Sequence, residues 1–270
     1  MSPERMAEMR RPVCRILIVL AMALAIAPAV SAAPKAELWP RWQAHVEGAV
    51  LSIDHGAWDR FLATYVVVGA DGINRVRYGG VTRADRQALD SYILALSATP
   101  IDLYDRPEQR AFWINLYNAL TVRVVLDRYP VASIRDIDIS PGLFSDGPWG
   151  KEIVTVEGER LSLDDIEHRI LRPIWRDPRL HYALNCAALG CPNLPPRAVT
   201  AANGEDMLDQ AARGFVNHPR GARIEGDRLI VSRIYDWYEA DFGGTATGVL
   251  AHLRIYASAE LRSGLASRAG

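Results

Sequence analysis

A histidine, an amide and two cysteines fall within twelve residues in His181-Tyr-Ala-Leu-Asn185-Cys186-Ala-Ala-Leu-Gly190-Cys191-Pro192, the sharpest chemical constellation in the sequence. A cysteine attacks only as its thiolate, and a nearby imidazolium or a helix N-terminus brings its pKa towards working pH. On that reading Cys186 is the nucleophile and His181 the base. His181 and Cys186 are five residues apart, about 16 Å along a strand, so they meet only where the chain turns before the cysteine. His168 is equally able to be the base. Two other readings stay open. Cys186 and Cys191 can form a disulfide; five residues along a straight helix rise about 7.5 Å, more than a bridge usually spans, so bridging needs a turn. Gly190 and Pro192 favour one. Alternatively, His181, Cys186 and Cys191 ligate a metal such as zinc, with water or a carboxylate in the fourth place.

Three further groups of residues carry candidate chemistry. Asn115 and Asn118 sit three apart in Phe112-Trp-Ile-Asn-Leu-Tyr-Asn-Ala119, a segment otherwise fit for burial. Buried amides must be hydrogen bonded, so they either stitch backbone segments or, at Asn115, orient an active-site histidine or hold a substrate carbonyl. Glu167 and His168 lie in Leu163–Arg172, where early acids and late arginines suit a helix dipole. Adjacent residues point about 100° apart on a helix, which disfavours a direct Glu167–His168 pair. Tyr235-Asp-Trp-Tyr-Glu-Ala-Asp-Phe-Gly243 mixes aromatics with acids, either an amphipathic helix docking its rings or a platform for a sugar or peptide.

The elements that must position these residues are mostly helices. Asp54 is placed to cap a helix through Tyr65, and Thr82 one over Ala84–Leu96. Asp105 precedes Arg106–Arg128, with Pro107 in its first turn and Tyr129-Pro130 as its stop. Ser162 and Asp165 form an acidic variant of the capping box ahead of Ile166 and Ile170. Strands are expected at Ile73–Tyr78, Ile153–Val156 and Leu180–Leu184, with a hairpin from Ala222–Glu225 to Arg228–Ser232 across Gly226-Asp227. Further helices are expected at Gly204–Val216, Tyr235–Ala240 and Val249–Leu265. The class is α+β: a helix-rich single domain with a small, mostly antiparallel sheet.

The first 33 residues read as a secretory signal. Arg10, Arg11 and Arg15 precede an apolar run from Ile16 to Ala27, and the small residues Ser31, Ala32 and Ala33 follow. The run is shorter than the roughly 20 residues a membrane span needs, so no stable span is expected after cleavage. Removing four basic and two acidic residues with that leader leaves 27 basic against 30 acidic, a net charge of −3 over residues 34–270. With no clustered basic patch, no nucleic-acid partner is expected. No glycine loop for a phosphate and no metalloprotease signature occurs, so no cofactor is expected. Cys14 leaves with the leader, and two closely spaced cysteines in an exported chain raise the disulfide reading.

Taken in order, AFWINLYNALTVRVVLDRYP, LSLDDIEHRILR, LHYALNCAALGCPNLP and IYDWYEADFGG resemble the DUF547 family over about Ile101–Gly243. The resemblance implies an α+β domain of papain-like or transglutaminase-like kind and secreted or membrane-attached bacterial relatives. The matching positions are Asn115, Asn118, Glu167, His168, His181, Asn185, Cys186 and Cys191. The family motif often carries a serine where this chain has Gly190. These readings combine into a periplasmic or secreted thiol hydrolase or transferase acting on an amide or ester of a small molecule, peptide or envelope component. Cys186 would attack, His181 would be the base and Asn115 the orienting residue, with backbone amides near Ala187 as oxyanion donors. The competing expectation is a non-catalytic binding or scaffold domain with a Cys186–Cys191 disulfide.

Overall fold

The computed structural model describes residues 34–141 and 147–266; the expected signal lies outside them. The expected caps at Thr82 and Asp105 form, whereas the N-cap of the first helix is His55, without a side-chain cap, rather than Asp54. α1 (Gly56–Tyr65) follows Asp54, whose Oδ1 accepts from Gly56 N at 2.7 Å. It leads into an antiparallel hairpin, β1 (Val66–Val68) with β2 (Asn74–Val76). Thr82 accepts from Asp85 N to open α2 (Arg83–Ser97), and Asp105 accepts from Glu108 N to open α3 (Arg106–Arg128). α3 is buried on nearly every side between Gln109 and Leu126. A helix so enclosed presents Asn115, Tyr117, Asn118 and Thr121 to protein rather than water, and each must find a partner there.

A second hairpin, β3 (Val154–Val156) with β4 (Glu159–Leu161), precedes a π-helix over Asp165–Leu171. The capping box forms in both directions: Asp165 N donates to Ser162 Oγ at 3.1 Å, and Ser162 N to Asp165 Oδ2 at 3.0 Å. The π-helix runs into α4 (Arg172–Trp175).

Residues 180–184, expected as a strand, instead hold a single helical turn, α5 (Leu180–Ala183). The apolar run is the reason: all its side chains are buried, so there is no polar alternation to mark a strand, and a short enclosed run fits either state. Asp177 decides the outcome by accepting from Arg179 N through its side chain and from Leu180 N through its carbonyl.

Then come α6 (Gly204–Val216), the hairpin β5 (Ala222–Glu225) with β6 (Arg228–Val231), α7 (Ile234–Trp237), α8 (Ala246–Tyr256) and α9 (Ala259–Ala266). The last expected helix is thus broken in two, with Ala257 extended between the parts. The α+β class is what the chain adopts. Among the described residues the sheet is three separate two-stranded antiparallel hairpins rather than one. The described residues form one compact unit with a main core around α1–α3 and the π-helix. A second core gathers Phe215, Tyr235, Phe242 and Leu253. α5 is the seam, sending Leu180 and Ala183 into the first and Tyr182 into the second.

Candidate functional site

Cys186 and Cys191 are joined in a disulfide, with their α-carbons 6.3 Å apart. The turn that bridging needs is present: Cys191 N donates to Ala188 O, and Ala187, at φ +51°, takes the left-handed conformation while its N–H donates to Asn185 Oδ1. Here the structure departs from the expectation of a free Cys186. The sulfur is neither a thiol nor a thiolate, and the residue follows the C-terminus of α5 instead of opening a helix, so the expected oxyanion donors have no helix N-terminus behind them. With both sulfurs committed, the metal reading loses two of its three ligands. Among the described residues no group of three or more His, Cys, Asp or Glu side chains could hold a metal. A β-carbon at Gly190 would meet nothing within 4 Å, so the serine common in the family motif is replaced here without steric cause.

Asn115 and Asn118 do what buried amides most simply do. Asn115 Nδ2 donates to Val199 O at 2.6 Å, and its Oδ1 accepts from Val199 N at 3.1 Å. Asn118 donates to Ala183 O and accepts from Asn185 N, which fixes the chain on either side of Leu184. Asn115 therefore meets backbone at 199 rather than the ring of His181 as expected.

His181 sits in a knot of charge. Its Nε2 is 2.7 Å from Asp241 Oδ2, its Nδ1 faces Glu167 Oε1 at 3.8 Å, and its ring stacks on Tyr238 with centroids 4.0 Å apart. Arg172 Nε donates to the same Asp241 oxygen at 2.6 Å, and its Nη1 lies 3.0 Å from His168 Nδ1. Glu167 Oε2 accepts from Tyr117 Oη at 3.0 Å. Glu167 and His168 are 3.9 Å apart, beyond a hydrogen bond, as their adjacency leads one to expect. Burial pushes the Glu167 carboxyl upward, but His168, His181, Tyr117 and Arg172 outweigh it and hold the group below the ordinary value. Asp241 follows the same logic: burial raises it, yet the hydrogen bonds from His181 and Arg172 bring it to about 2. Burial pushes the Tyr117 and Tyr238 phenols above theirs. The N-terminal segment closes over the knot: Arg172 Nη1 donates to Pro34 O at 2.7 Å, and Glu37 N donates to His168 O. With a carboxylate opposite each ring nitrogen, His181 is paired within the knot.

The disulfide loop has its own anchor. Arg220 donates to Leu189 O at 2.8 Å, Cys191 O at 2.7 Å and Asn193 Oδ1 at 2.9 Å. Asn193 also donates to Gly72 O, and Asn74 Nδ2 donates to Leu194 O, so the loop is tied to the β1–β2 turn. Beyond this brace residues 193–197 form one wall of a cleft of about 210 Å³. The other wall is the face of α6 that carries Met207, Gln210, Ala211 and Gly214, at the 0, 3, 4, 7 spacing of a single helical stripe. Apart from the Asn193–Pro195 end of the family-like motif, these residues escaped sequence reasoning. The stripe was readable as an amphipathic face, but nothing in the chain order announces which loop covers it. Arg172 and Tyr117, partners within the charged knot, were likewise missed as such, because pairing across 50 or 69 residues leaves no local trace.

Residues 101–216, from the 3₁₀ turn before α3 to the end of α6, match the family described as "Protein of unknown function, DUF547". Three of the four motifs fall inside it, and IYDWYEADFGG lies beyond its end. No curated protein and no solved structure matches the chain. Among the described residues no helix is long and apolar enough to cross a membrane.

Proposed function

We propose that this DUF547 protein is an exported, non-catalytic ligand-binding domain whose disulfide is structural and whose binding surface is the cleft between residues 193–197 and α6. The observation that carries this reading is the bond between Cys186 and Cys191, because it removes the only nucleophile the hydrolase reading had. Export is supported by the leader pattern and by the bridge, which persists in oxidising compartments. The brace of Arg220 and Asn193 gives the disulfide loop a mechanical role, since it holds the cleft wall against the β1–β2 turn.

Intact mass tests the reading. Protein isolated without reductant should be about 2 Da lighter than the same protein after reduction, the mass of two hydrogens. Cys186→Ser should lower stability and leave no hydrolase activity to lose. Equal masses before and after reduction, or ester or amide hydrolysis that vanishes in Cys186→Ser, would overturn it.

A further inference from the structure

We propose that the cleft takes a compact apolar carboxylate, an inference that rests on the ligand-binding reading. Three features lead there. Pro195, Pro196, Met207, Ala211 and Phe215 give the cleft apolar walls, and carboxamides from Asn74 and Gln210 interrupt them. That mixture is the usual lining of a small-molecule site, and 210 Å³ is below the roughly 300–1,000 Å³ typical of drug-sized ligands, so the occupant is small.

Arg197 supplies the second feature. This residue lines the cleft, is exposed and has no hydrogen-bond or ion-pair partner among the described residues. Three arginines elsewhere in the fold are committed to internal partners, Arg172 to Asp241, Arg179 to Asp177 and Asp209, and Arg220 to the disulfide loop, whereas Arg197 stands at the cleft. A guanidinium presents paired donors that match the two oxygens of a carboxylate. A ligand with an apolar body and a terminal carboxylate satisfies wall and guanidinium together.

Gly214 supplies the third. A glycine inside a helix is less stable than an alanine, and here no crowding requires it, since a β-carbon would meet nothing within 4 Å. Its φ is an ordinary helical one, so backbone geometry does not require it either. Helical side chains lean towards the preceding turn, so any larger residue at 214 would lie over Gln210 and Ala211, in the cleft. The missing side chain is what keeps the space open.

The test uses the full disulfide-bonded protein with 4-phenylbutyrate as probe and 4-phenylbutanol as its uncharged match, read by calorimetry and saturation-transfer NMR. The acid should bind saturably and the alcohol about tenfold more weakly, the loss of one charged contact. Arg197→Gln should bring the acid to the level of the alcohol. Gly214→Leu should abolish binding of both without lowering the melting temperature; if it unfolds the protein, Gln210→Trp serves as the second blocking variant. An acid that fails to saturate, an alcohol that binds as tightly, or full binding in the blocked variant would overturn the assignment. The mass difference is read independently of binding, so failure of these readouts leaves the mass difference of the bridged protein standing, and a free thiol would appear in the mass whatever the binding result.

Discussion

The charged knot around His181 and the cleft beside α6 are built from opposite materials. The knot holds the residue types usually sought in active sites, His168, His181, Glu167, Asp241 and two tyrosines, and they are partnered with one another. The cleft is walled by prolines, a methionine, an alanine and a glycine, with Arg197 unpartnered among the described residues. Reactive side chains brought together under burial neutralise each other's demands. A site for something from outside is better marked by a group left unsatisfied than by a group capable of chemistry.

The largest expected effect lies in the knot. Replacing Arg172 by methionine leaves Asp241 and the buried Glu167 short of a positive neighbour, and breaking a buried pair in this way costs about 3–5 kcal/mol, measurable by urea unfolding. The knot also sets an acid limit. Asp241 is held at about 2 against an ordinary 3.8, so its contribution is fully present above pH 4 and is lost as pH falls through 2. An unfolding midpoint in urea that stays level from pH 5 down to pH 2 would contradict the depressed carboxylate. Next in size is Asn115→Ala, which strands both polar groups of Val199 and should cost about 1–3 kcal/mol for each group left unpaired. Were Asn115 an orienting residue alone, stability would not move. Removing the disulfide opens only a short loop and should cost about 2 kcal/mol. The smallest effect falls on the cleft: Gly214→Ala should stabilise by about 0.5–1 kcal/mol, because only the helix backbone notices the change. A destabilised Gly214→Ala would mean that the glycine is required by packing, and the contrast between the two regions would weaken.

Much of the fold was legible because caps and apolar stripes are local. Thr82, Asp105 and the Ser162–Asp165 box start helices where the sequence placed them, and α6 spans the expected Gly204–Val216. Leu180–Leu184 misled because an enclosed apolar turn and a buried strand look alike in sequence. The candidate site was legible only as a set of residues. That Asn115 turns to Val199, and that His181 turns to Asp241 across 60 residues, are results of packing which spacing along the chain does not encode.

The central claim is that the sulfur of Cys186 is a structural atom, and native labelling with iodoacetamide near neutral pH addresses it most directly. Neither cysteine should be modified until a reductant is added, after which both should be. Rapid modification of Cys186 in the untreated, folded protein would contradict the account.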